Sequence, residues 1–313
     1  MKEVLAILLV SFAVYTNSLD NGFHYDDEHS IEKNIHIRDL DNIPRFFKDP
    51  SAFSVDHDKA MFRPVLLVTY ALNFAWGGYE VEGYHLVNLI LHALSACLVY
   101  WLARLMTRRS DLALSAGLLF AVHPICSEPV NYISSRSEGL AGFFYLAGLA
   151  LFIRANQSGG GRWLYLSWGA LVAGLLSKSI VFTLPAVVLV WDYLCISHRR
   201  SEVLRGRFLR WHLVYWVLAG LYLIVIVNNR FLTQSLAKPV RGRWSQFLTQ
   251  IEAFAYYLKL LVWPVELNVE HQFFAREQVG PTGLLAGGLL IGLGLALYWA
   301  YRRRWDLPLF LNL

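Results

Sequence analysis

The sequence predicts an all-α polytopic membrane protein, and three observations carry that prediction. Of its 313 residues, 56% are hydrophobic and only 16% are charged, with a mean hydropathy of +0.41; a soluble domain carries nearer ~25% charge. The apolar residues fall in runs that approach or reach membrane-spanning length. The arginines gather at the ends of those runs, where they set topology. The pI near 9.1 therefore does not describe a nucleic-acid-binding face, and no nucleic-acid partner is expected. The 11 Trp residues suit anchoring at the interface. Cys97, Cys126 and Cys195 are far apart and form no CxxC or Cys–His pattern, which argues against a zinc site or a disulfide framework.

The first apolar run, 4–18, follows Lys2 and lacks a small-residue cleavage site, so it reads as a retained helix with a cytoplasmic N-terminus. Residues 20–83 are polar and mixed. Within them IPRFFKDPSAF and FRPVLLVTYALNFAWGG are bounded by charge, Pro or Gly. The second is marginal in length for a span and is expected to lie along the interface. Further spans are expected at 84–106, 112–123, 139–153, 163–176, 180–195, 211–227 and 281–301, about eight with the first. With the N-terminus inside, Arg108/Arg109, Arg154/Arg162, the 199–210 cluster and Arg302–Arg304 all fall on the cytoplasmic side. The long loops 20–83 and 228–280 fall outside. The triplet Asn156-Gln157-Ser158 lies in a cytoplasmic loop and should carry no glycan.

Four polar groups on the outer side are candidates for chemistry. Tyr25-Asp26-Asp27-Glu28-His29 places three consecutive acids just after the first span; such a cluster holds a metal, orients a cation or supplies a general base, although a solvated acidic turn also fits. His123-Pro124 ends one span, and Glu128, Arg136 and Glu138 follow before the chain re-enters the membrane; Glu128 and Arg136 are able simply to neutralise each other. Ser177-Lys178-Ser179 caps a sharp turn. Lys178 either snorkels to the headgroups or, with Arg136, binds a lipid phosphate. Arg230, Lys238, Arg241 and Arg243 precede FAYYLKLLVWP in the second long loop, a pattern suited to anionic headgroups or to a structural lid. Glu266, Glu270 and His271 take no role from spacing. Acids and cations gathered on one outer face form the layout of a site where cations hold a lipid phosphate and a carboxylate acts on the incoming group.

In order along the chain stand N-G-F-x-x-D-D (21–27), F-R-P-x-x-x-x-T-Y-A-L-N (62–73) and H-L-x-N-x-x-x-H (85–92). They are followed by F-A-V-H-P-I-x-x-E-x-V-x-x-I-x-x-R-x-E (120–138), S-K-x-x-x-x-x-L-P (177–185) and Y-L-x-L-L-x-W-P-x-x-L-N (257–268). This series resembles the transmembrane and tetratricopeptide-repeat O-mannosyltransferase-like family and its bacterial relatives. The resemblance implies a GT-C glycosyltransferase fold, a helical bundle with interfacial helices in its first outer loop, here a single domain over 1–313. It implies inverting transfer of a sugar, mannose above all, from a polyprenyl- or dolichyl-phosphate donor to a hydroxyl of an acceptor protein or glycan outside the cytoplasm. The membrane would be the bacterial inner membrane or the endoplasmic reticulum. Asp26 or Asp27 would be the base, Arg136 and Lys178 would hold the donor phosphate, and Glu128 would orient Arg136 or the acceptor. His123, Glu138 and Arg63 would support them. A divalent metal, Mg or Mn, at Asp26/Asp27 fits some GT-C relatives.

Ser179 stands where the family commonly has an acid, and the family's later helices and repeats are expected to be missing. A lipid or solute transporter, or a non-catalytic scaffold, are the competing classes. A transporter would place its ionisable groups nearer the bilayer midplane.

Overall fold

The computed structural model describes residues 1–56, 59–197, 201–228, 242–269, 273, 275 and 277–303, and all regular structure among them is helical. Arg230, Lys238, Arg241, Glu270, His271 and Arg304, singled out above, lie outside the described residues. The chain forms two compact units, Met1–Leu232 and Thr233–Leu313.

In the first unit, α1 (Lys2–Tyr15) runs on as a 3₁₀ turn to Asp20, giving a 19-residue apolar helix. The first loop then folds into short turns, among them α2 (Ile43–Phe46), before α3 (Pro64–Gly77). α3 opens on Pro64, whose fixed φ and missing N–H suit a first helical position, and stops at Gly78 with φ 58°. At 14 residues it is about 21 Å long, too short to span, as expected. Next come α4 (Val81–Thr107), α5 (Ser110–Val122), the short α6 (Ser127–Asn131), α7 (Arg136–Gln157), α8 (Arg162–Leu175), α9 (Leu184–Trp191), α10 (Ser201–Trp211) and α11 (Leu213–Asn228). The second unit holds α12 (Arg243–Val262) and α13 (Pro281–Arg303), which pack together and are joined by Thr282 Oγ1 donating to Glu252 Oε1 at 2.9 Å.

Among the described residues, 5 helices are long and apolar enough to cross a membrane, or 7 if each of two bent pairs is one span. That is fewer than the sequence count, for local reasons. α8 has only 14 residues. α5 is cut at His123-Pro124, where the chain bends by 55° into α6. The basic stretch before α11, read as a connection, is itself the helix α10, which meets α11 at 59°. α12, too, arises inside a segment read as loop.

Two packing arrangements position the site. α4 lies against α1, α5 and α7, and α7 against α8. These contacts are close because small residues face them: a Cβ on Gly117 of α5 would sit 2.7 Å from Ile7 Cδ1 and 3.2 Å from the Ala96 carbonyl. Meanwhile the first loop has its own apolar core. Ile31, Ile37, Phe46 and Phe53 pack on Leu66, Leu67 and Tyr70 of α3 and on Tyr84 and Ile133. The loop is thereby seated on the ends of α4 and α7, and Val65 N donates to the Leu176 carbonyl at 3.2 Å.

At the opposite end of this unit, Asp192 is fully buried. It accepts from Arg207 Nε at 3.0 Å and Ser197 Oγ at 2.7 Å, and lies 2.9 Å from His212 Nε2. Arg207 also donates to Asn156. A buried carboxylate needs this full set of partners, and the set fixes α10 against the ends of α7 and α9.

Candidate functional site

The two adjacent acids of the first loop have opposite environments. Asp27 is 0% exposed. Its Oδ1 accepts from Ser134 N at 2.8 Å and Ser134 Oγ at 2.5 Å, and its Oδ2 from His24 N at 3.0 Å. Burial pushes its carboxyl above the usual range, against the lowering effect of those hydrogen bonds. Asp27 is a clamp between the first loop and the 133–135 turn. The Asp26 side chain, by contrast, is 59% exposed. Its Oδ1 lies 3.0 Å from His29 Nε2 and 3.5 Å from Lys59 Nζ. His29 is fixed from behind by Ser54 Oγ, 3.0 Å from its Nδ1. The Asp26 amide donates to Tyr132 Oη at 3.1 Å, and the Tyr132 phenol is pushed up to about 12 by burial. Tyr25, with φ 50°, makes a left-handed turn just before the two carboxylates.

This geometry does not fit a metal at Asp26/Asp27. Both Asp27 oxygens are taken by donors, and among the described residues no group of three His, Cys, Asp or Glu converges as a metal site.

Arg136, expected to hold a phosphate, is 0% exposed. Its Nε donates to Asn88 Oδ1 at 2.7 Å, Nη1 to Asn73 Oδ1 at 2.6 Å and Thr69 Oγ1 at 3.2 Å, and Nη2 to the Tyr84 carbonyl at 2.8 Å. Its guanidinium also lies over the rings of Tyr70 and Tyr84. A planar fork of five donors suits such a role: Arg136 ties α3, α4 and α7 together. Glu128 does not contact it. Its Oε1 accepts from Ser135 Oγ at 2.9 Å and braces the turn preceding Arg136. His123 Nδ1 accepts from Ile125 N at 3.2 Å, which holds the turn after α5.

The remaining three predicted residues come together. Arg63 Nη1 donates to Ser137 Oγ at 3.1 Å, Ser137 Oγ donates to Glu138 Oε2 at 2.5 Å, and Glu138 Oε1 pairs with Lys178 Nζ. Beside Glu138 opens a cavity of about 350 Å³ between α4 and α7, lined mainly by apolar groups including Leu91, Phe120, Gly142 and Leu146. A Cβ on Gly139 or Gly142 would meet nothing within 4 Å, so both glycines leave the space open. Of the cluster, Glu138 itself lines this cavity, and it links the apolar cleft to Lys178 and, through Ser137, to Arg63. Sequence reasoning missed Ser134 and Ser137, which join the acid loop to this cluster; only their place inside the 120–138 string gave a signal.

The chain is 30% identical over 293 residues to protein O-mannosyl-transferase Tmtc1 of Drosophila melanogaster, covering 83% of this chain and 33% of the relative. It is 29% identical over 293 residues to protein O-mannosyl-transferase Tmtc2 of the same species, covering 86% and 30%. Over most of its length, this chain is a relative of the transmembrane and tetratricopeptide-repeat O-mannosyltransferase-like proteins. Human protein O-mannosyl-transferase TMTC3 is 30% identical over 159 residues, 50% of this chain and 17% of that protein. The chain thus spans about a third of the length of the Drosophila relatives. No family model matches it, and no solved structure does.

Proposed function

We propose that this chain is the membrane core of a GT-C mannosyltransferase, taking mannose from a polyprenyl-phosphate donor and passing it to a hydroxyl of a protein acceptor on the extracytoplasmic side. The observation that carries the reading is the cation–carboxylate cluster of Arg63, Ser137, Glu138 and Lys178 at the edge of the α4–α7 cavity. It is joined through the 132–138 segment to the Asp26 backbone amide and the Asp27 carboxylate, and so to the loop that presents the exposed Asp26 carboxylate. The names of the relatives supply the sugar and the acceptor class.

In this mechanism the isoprenoid tail occupies the apolar cavity and the phosphate meets Lys178. The acceptor oxygen attacks the anomeric carbon from the face opposite the phosphate while Asp26 takes its proton. The bond from the anomeric carbon to the phosphate oxygen breaks, the phosphate leaves with the electron pair, and Lys178 stabilises its charge. Configuration inverts. His29 holds Asp26 in place, and Asp27 and Arg136 fix the loop and the helices around it. No metal takes part in this scheme.

The test is transfer of labelled mannose from a short-chain polyprenyl-phosphate-mannose to a Ser/Thr-rich peptide pool by the purified chain, beside Asp26→Asn. Loss of transfer in the variant, with its unfolding temperature unchanged, is the expected result. An Asp26→Asn protein as fast as wild type would remove Asp26 from the mechanism.

A further inference from the structure

The anion that Lys178 holds here belongs to the protein itself. Glu138 receives Lys178 on one carboxylate oxygen and the Arg63–Ser137 chain on the other. The same residue borders the apolar cavity. An amphiphile whose tail filled that cavity would bring its phosphate to the position where the carboxylate already sits. The contact is also built to open: the side chains of Lys178 and Glu138 are 27% and 38% exposed. At the other end of the unit, the carboxylate partner of Arg207 is 0% exposed and has additional partners. A partly exposed pair is weakly held, whereas one fully desolvated and multiply bonded is not easily broken.

From this arrangement we infer that Glu138 keeps the donor phosphate's place in the empty protein, an internal anion that the lipid phosphate displaces and that returns to expel the product. The inference rests on Lys178 being the phosphate ligand of the function proposed above. Its chemical logic lies in the two lipid species. The donor is a phosphodiester with one negative charge, and the product is a phosphate monoester, which approaches two at neutral pH because its second pKa lies near ~6. Lys178 alone would retain the product more tightly than the donor. A carboxylate competing for the same ammonium opposes that retention, and it repels the more highly charged product more strongly.

The experiment measures binding of farnesyl phosphate to the purified full chain in detergent, for wild type, Glu138→Gln, Glu138→Asp and Lys178→Met, with farnesol and inorganic phosphate as separate arms. Glu138→Gln keeps shape and removes charge, and should bind farnesyl phosphate about fivefold more tightly, the upper reach of one partly exposed ion pair. Glu138→Asp should stay near wild type, farnesol affinity should be unchanged across the series, and Lys178→Met should lose farnesyl phosphate. If Glu138→Gln binds no better than wild type while Lys178→Met loses binding, Glu138 merely positions the lysine; the inference falls and the functional reading stands. Unchanged binding by Lys178→Met would remove the phosphate ligand, and both would fall together. Equal affinity for inorganic phosphate, or a parallel gain for farnesol, would also overturn the inference.

Discussion

At the scale of single residues, the adjacent pair Asp26 and Asp27 shows how little spacing says about role. Both look alike in the sequence, yet one carboxylate is buried on Ser134 and His24 and the other faces outward. The difference follows above all from a serine more than a hundred positions away, which a single sequence does not display. The same holds for Arg136. Its type and its place near the interface were legible, but its acceptors Asn73, Asn88 and the Tyr84 carbonyl come from other helices. The Asp27 clamp has a pH signature. Burial raises its carboxyl above the unfolded value, so folding favours the protonated form. Its stabilising contribution is complete below about pH 4, the unfolded value, and is lost as pH rises through the raised folded value. Thermal unfolding of wild type and Asp27→Asn in detergent should therefore show the advantage of wild type largest near pH 4 and shrinking toward pH 7. An advantage that grew with pH would mean that the hydrogen bonds from Ser134 and His24 outweigh burial.

At the scale of elements, the apolar runs gave the helices well because hydropathy and helix length are local properties. The runs at 84–106 and 281–301 correspond to Val81–Thr107 and Pro281–Arg303. The helices that escaped notice, α10 and α12, carry charge that hides them among the spans: α10 owes its place to Asp192, and α12 packs on α13. Glycines divide the elements in a way composition does not reveal. Gly117 has no room beside it, whereas Gly142 faces open space. Gly117→Val should push α5 off α1 and α4, costing about 1–3 kcal/mol as overpacked contacts do, read as a lower unfolding temperature. Gly142→Leu should leave that temperature unchanged while filling the α4–α7 cavity and weakening binding of farnesyl phosphate. If the two variants behaved alike in both measurements, the cavity would be no place for a lipid tail.

For the molecule as a whole, the first unit has two chemically distinct ends. One gathers Asp26, Tyr132, Ser134, Glu138 and Lys178 through the hydrogen bonds that seat the first loop. The other gathers the arginine-rich connections. Gln157 Nε2 donates to the Leu105 carbonyl, Arg154 lies over Trp163, and Arg207 reaches Asn156, so the ends of α4 and α7 and the start of α8 share one side with α10. Short basic connections tend to be retained in the cytoplasm, which predicts an orientation of the unit with the proposed transfer site outside. That orientation is checked with single cysteines in a background where Cys97, Cys126 and Cys195 are replaced by Ala. Glu32→Cys, in the exposed part of the first loop, should react with a membrane-impermeant maleimide on intact cells. Ser158→Cys, exposed in the turn after α7, should react only after permeabilisation. The reversed pattern would put the acid loop in the cytoplasm, where an extracytoplasmic acceptor could not reach Asp26. Labelling of both positions on intact cells would mean that α4 and α7 do not carry the chain across the membrane between these two ends.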